Sequence, residues 1–76
     1  MNENTYNGWR NRETWNVALY IQNEYELYTL AKHCKNYSQF LMHSWRVRNA
    51  YTPDGVRWTS RKISRTEINA MLRELT

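Results

Sequence analysis

The sequence predicts an all-α fold: one small bundle of three to four short helices, with an extended T-P-D-G-V-R-W linker before the last. Three observations carry this. Between Arg10 and Thr52 the chain has neither glycine nor proline. Long apolar side chains recur there at three- and four-residue spacing, the period of a helix face. Near the C-terminus, Ser64-Arg65-Thr66-Glu67 has the S-x-x-E pattern of a helix start.

The first helix is expected to begin at Asn11. Asparagine is a good N-cap, and Glu13 suits the positive end of the helix dipole. At 100° per residue, Trp15, Val17, Ala18, Leu19 and Ile21 share one broad arc. Arg12, Glu13, Asn16 and Tyr20 share the other. So wide an apolar arc implies a central helix touched by several neighbours. Its end falls near Gln22 or Asn23.

A second helix restarts at once, because Asn23-Glu24-Tyr25-Glu26 reads as a capping box. Leu27, Leu30, Ala31 and Cys34 form its narrow stripe. A third is expected over about Ser38–Ala50, with Phe40, Leu41, Trp45 and Val47 inward. Lys35-Asn36-Tyr37-Ser38 is a soft break, so helices two and three also read as one bent helix.

"TPDGVRW" (Thr52–Trp58) is a turn with a mechanism. Pro53 presets φ, Asp54 bonds locally, and Gly55 relieves the exit. Val56-Arg57-Trp58 then crosses in extended form and pins Trp58 to the helices. In the last helix, Ile63 and Ile68 are placed for a hydrophobic staple across the Ser64 cap. Ile68, Met71, Leu72 and Leu75 continue the stripe.

At 76 residues the chain is one domain, 1–76, with residues 1–6 read as a flexible polar tail. A core this small seldom supplies more than ~3–5 kcal/mol. With one cysteine, an internal disulfide is impossible, and four Trp, six Tyr and one Phe are the available substitute. No stretch is long and apolar enough to span a bilayer, and the N-terminus lacks the pattern of an export signal. A cytoplasmic location follows as the expectation.

The net charge of +4 is uneven. Bases and acids balance in residues 1–38, so the excess lies in residues 39–76. That asymmetry points to an acidic partner surface, nucleic acid or protein. Arg57, Arg61, Lys62 and Arg65 cluster on the linker and the start of the last helix, with Arg46 and Arg48 upstream. Converging with Trp58, they would track phosphates and offer a stacking face. The alternative is an ordinary solvated surface. Arg65 in a first helical turn is electrostatically unfavourable, a hint that another need placed it there.

"NGWRNRETW" (Asn7–Trp15) has two readings. Gly8 permits a tight turn, after which Trp9 folds back on the first helix and fixes its angle. In the other reading Trp9 stays open beside Arg10 and Arg12, residue types enriched at interface hot spots. The two are compatible if one face of the ring remains free.

The longer stretch "YNGWRNRETWNVALYIQNE" (Tyr6–Glu24) resembles the signature N-G-W-x-N-R-E-T-W-x-V-x-L. That signature belongs to small uncharacterised proteins of bacteriophages and bacteria, cyanobacteria and cyanophages among them. "TPDGVRW" and "MLREL" (Met71–Leu75) resemble the tail of the same proteins. The resemblance spans about half the chain and leaves residues 32–51 outside. It implies provenance, a phage or prophage accessory protein, and carries no functional residues. Phage proteins of this size often redirect host machinery such as RNA polymerase or a CRISPR effector, a class-level analogy.

Chemistry offers little. His33 and Cys34 are adjacent, so on a helix they point about 100° apart. Cys34 falls on the apolar stripe and reads as a plain buried thiol. His33, Cys34 and His43 lack metal-ligand spacing, so no metal is expected. The two glycines are too far apart for a phosphate loop, and no cofactor is implied. No catalytic residue is assigned.

The expectation is therefore a non-enzymatic, phage-related interaction protein that modulates a host macromolecular machine. Its candidate contact residues are Trp9, Arg10, Arg12, Arg46, Arg48, Arg57, Trp58, Arg61, Lys62 and Arg65. The alternative is nucleic-acid binding, without sequence specificity, through the Arg46–Arg65 region. A homodimer is also open, since four tryptophans are hard for a monomer to hide.

Overall fold

In the computed structural model, which describes residues 5–75, the chain forms five helical segments and no strand among those residues. They are α1 (Arg12–Asn23), α2 (Tyr25–Ala31), α3 (Tyr37–His43), α4 (Trp45–Arg48) and α5 (Arg65–Leu75). The all-α expectation holds. The first four residues of the expected flexible tail lie outside the described residues. Tyr6, its last residue, is bonded in place.

Tyr6 and Trp9 exchange main-chain hydrogen bonds of 2.6 and 2.8 Å around Asn7-Gly8. Asn7 has φ 50° and Gly8 φ 87°, so both central residues are left-handed. This is the geometry for which Asn-Gly is the preferred pair. The turn lays the Tyr6 ring 5.0 Å from that of Trp15 and sets Trp9, half-buried, against the core.

Asn11 caps α1 as expected, its Oδ1 accepting from the Thr14 N–H at 2.8 Å. The same oxygen accepts from Thr14 Oγ1, which in turn accepts from the Ser64 N–H at 2.8 Å. Asn11 Nδ2 donates to the Lys62 carbonyl at 2.7 Å. The starts of α1 and α5 are thus tied by a short relay through buried Thr14. Ser64 caps α5 by accepting from the Glu67 N–H at 3.3 Å. The reciprocal half of the box is replaced: the Glu67 carboxylate accepts from the Arg10 N–H instead, at 2.8 Å.

Four helix expectations change, and the choice between separate and continuous helices two and three is settled. Asn23 closes α1, and Glu24, extended at φ −91° and ψ 116°, precedes α2 without a side-chain cap. Helices two and three are separate, because Asn36 caps α3 and Gln39 Oε1 accepts from the Lys35 N–H at 2.7 Å. Cys34 therefore lies beyond α2, in the turn between them. The third helix is shorter than Ser38–Ala50. It stops at Ser44, whose φ of −116° and ψ of 84° break the helical register. Past that break Trp45 swings outward instead of inward and is 75% exposed.

The core forms between α1, α3 and α5. Val17, Ile21, Ile68 and Leu72 belong to one buried cluster, in which the Tyr37 and Phe40 rings stack at 6.0 Å. Trp58 closes the layer, its ring 6.2 Å from that of Phe40. Its carbonyl accepts from the Tyr37 hydroxyl at 2.6 Å. Each such ring buries roughly 150–250 Å². Ile63 and Ile68 are both buried, as the staple requires.

Candidate functional site

The T-P-D-G turn is held from α1. Asn16, placed on the solvent arc by its period alone, is completely buried. Its Nδ2 donates to Asp54 Oδ2 at 2.8 Å, and its Oδ1 accepts from Thr52 Oγ1. The Tyr20 hydroxyl also donates to Asp54 Oδ2, at 3.0 Å. Arg12 Nη2 donates to the Asp54 carbonyl at 3.1 Å. The hydrogen bonds from Asn16 and Tyr20, with the Arg12 charge nearby, hold the Asp54 carboxyl below its ordinary range. Desolvation, then the facing carboxylate, pushes the Tyr20 phenol up. Gly55 takes φ 89° at the exit.

This anchoring positions an open furrow. One end, about 250 Å³, is lined by Tyr20, Leu27, Val47, Tyr51 and Pro53, with Glu24 and Glu26 on its rim. The other, about 180 Å³, is lined by Leu27, Leu30, His43 and Trp45. Both share Leu27 and Glu26, so the depressions adjoin along α2. Trp45 lines one end and is largely exposed. Tyr51, also exposed, stands at the other, with the Arg57 guanidinium 5.8 Å from its ring centre.

The ten predicted contact residues do not form one surface. Trp58 is a correction: it is 3% exposed, because the linker lays its ring under the helices, and it offers no stacking face. Arg12 is tied to Asp54, and Arg57 lies over Tyr51. Arg65 donates to Ser38 Oγ at 2.9 Å and sits 5.3 Å from the Tyr37 ring centre. Both contacts tie the start of α5 to α3. Arg10, Arg12 and Lys62 flank Asn11, since the Lys62 carbonyl takes its amide. Arg48 and Arg61 are exposed. The Arg46 side chain lies outside what is described. Trp9 packs on the core, as its first reading has it, and its half-buried ring also lines an open groove with Gln22, Met71 and Leu75.

Period reasoning missed Trp45, Met42 and Tyr51. The signal for Trp45 was Ser44, a poor helix residue just before it, which marked a break that a continuous helix wheel ignores. Buried Cys34 keeps its proton, because burial pushes its thiol up. Among the described residues no three of His, Cys, Asp and Glu gather as metal ligands. No described helix is long and apolar enough to cross a membrane.

Fold and site together define a small helical domain built on an aromatic core, with a furrow rimmed by exposed aromatic side chains. Residues 2–76 match the family described as a family of unknown function, DUF7249, and the chain belongs to it. No curated protein and no solved structure matches the chain significantly.

Proposed function

We propose that this protein is a non-enzymatic interaction module that docks on another protein through the furrow between Trp45 and Tyr51. One observation carries the reading: Trp45 is 75% exposed and lines an apolar depression with Leu27 and Leu30, and Met42, three residues earlier on α3, is exposed as well. A small domain whose stability rests on buried rings gains nothing for its own fold from an outward tryptophan. Trp and Met are enriched at interface centres, where one anchor in a pocket carries much of the binding. The resemblance of Tyr6–Glu24 to phage and bacterial proteins supports a host macromolecular machine as the partner, in the host cytoplasm. RNA polymerase and a CRISPR effector are the class-level candidates.

The test is affinity capture from bacterial lysate with the wild-type chain and with Trp45→Ala, side by side. Trp45 is exposed, so its loss should change stability by no more than about 0.5 kcal/mol. A stoichiometric partner held by the wild type and lost by the variant supports the proposal. Equal capture by both chains, or no partner at all, counts against it.

A second reading, nucleic-acid binding through the Arg46–Arg65 region, rests on Tyr51, open beside Arg57, as a stacking platform. It predicts a gel shift at about 50 mM salt that weakens steeply as salt rises. Absence of any shift there sinks it.

A further inference from the structure

The furrow along α2 differs in charge from the chain as a whole. The chain carries +4, yet among the described residues no Lys or Arg lines either end of the furrow. The residues of fixed charge that do line it are Glu24 and Glu26. Glu26 is engaged within the fold.

Two carboxylates act on one point of the furrow wall, the Tyr20 hydroxyl. Asp54 Oδ2 accepts from it at 3.0 Å, and the Glu24 charge also reaches it, adding to the push on that phenol. Arg12 partly offsets Asp54. Arg57 lies over the Tyr51 ring. Glu24 is different. Its N–H donates to the Tyr20 carbonyl at 2.9 Å, and its carbonyl accepts from the Tyr28 N–H at 2.8 Å. Its main chain thus joins α1 to α2, while among the described residues its exposed side chain makes no hydrogen bond. Helix dipoles do not account for the charge either, because the negative end of α1 and the positive end of α2 meet there.

We propose that the furrow takes a peptide segment pairing an apolar or aromatic side chain, seated by Trp45, Leu27 and Leu30, with a lysine or arginine that meets Glu24. This rests on the furrow being the docking site proposed above and adds the chemistry of its partner. The two depressions adjoin at Leu27, so one short segment can reach both. At physiological salt, charges are screened beyond about 8 Å, so a partner's base responds to the near carboxylates rather than to the distant net charge. The apolar anchor supplies most of the affinity, and the charge pair supplies register and rate of encounter. A phosphate backbone would meet like charge on this wall.

A displayed library of short random peptides, panned on the full chain, is the probe. Recovered peptides are then titrated against Trp45→Ala, Glu24→Lys and Glu74→Lys. Glu24 and Glu74 are both exposed, and their reversals change the net charge equally; Glu74 lines the separate Trp9 groove. Peptides that lose binding in Trp45→Ala should carry more Lys and Arg, and fewer Asp and Glu, than the library. Their affinity should fall about tenfold or more in Glu24→Lys and stay within about twofold of wild type in Glu74→Lys. Recovery of no peptide that needs Trp45 would overturn the docking site and this inference together. Peptides that need Trp45 but show no basic bias, or that weaken equally in both reversals, would overturn this inference alone.

Discussion

Replacing Asn16 with alanine should destabilise this domain more than any change at an exposed charged residue. Asn16 is fully buried and joins α1 to the T-P-D-G turn through Thr52 and Asp54. Truncation leaves the buried Thr52 O–H without its acceptor, though its oxygen still accepts from the Val56 N–H, and an unsatisfied buried donor costs about 1–3 kcal/mol. The small void adds about 1 kcal/mol. Asp54 is exposed, so water can replace its lost bond and no further cost is assigned. The sum, about 2–4 kcal/mol, is most of the ~3–5 kcal/mol a core of this size supplies. Urea unfolding followed by circular dichroism reads it directly. With a slope of about 1 kcal/mol per molar, the midpoint should fall by about 2 M or more. Thr52→Val removes the donor that Asn16→Ala orphans, so the double variant should lose about 1 kcal/mol less than the two singles summed. A single-variant cost below about 0.5 kcal/mol, or additive singles, would mean that Asn16 does not bridge α1 to the turn.

The remaining predictions concern pH, the inner phenol and the thiol. Asp54 titrates below its ordinary 3.8, so its contribution is present above that value and is lost as pH falls through the folded one. The stability difference between wild type and Asp54→Asn should therefore shrink from about pH 6 to about pH 3 in thermal melts. Tyr37→Phe leaves the buried Trp58 carbonyl without its 2.6 Å donor and should cost about 1–2 kcal/mol in urea melts. Cys34 is buried and protonated, so a thiol reagent should react at least about tenfold more slowly with the folded chain than with the urea-unfolded one.

Much of this fold was legible where local chemistry decides local structure. Asn11 and Ser64 cap helices because of short side-chain hydrogen bonds that neighbouring residues specify. The Asn7-Gly8 and Pro53–Gly55 turns follow from backbone sterics in the same way. Illegible were the features set by distant partners. Asn16 looks like a surface residue until Thr52 and Asp54 arrive from the other half of the chain. Glu67 matches a capping box, but the Arg10 N–H takes its carboxylate. Trp45 failed for a third reason: one non-helical residue at Ser44 resets the phase of everything after it. The candidate site was the least legible part, because its open aromatics depend on that break and its bases are partly occupied within the fold.

The fold leaves Trp45 to the solvent and buries Trp58. Acrylamide quenching of intrinsic fluorescence in Trp45→Phe and Trp58→Phe decides this without any partner. The Trp45 variant should lose the most readily quenched component, while the Trp58 variant keeps it. Retention of that component in Trp45→Phe, with its loss in Trp58→Phe, would contradict the account.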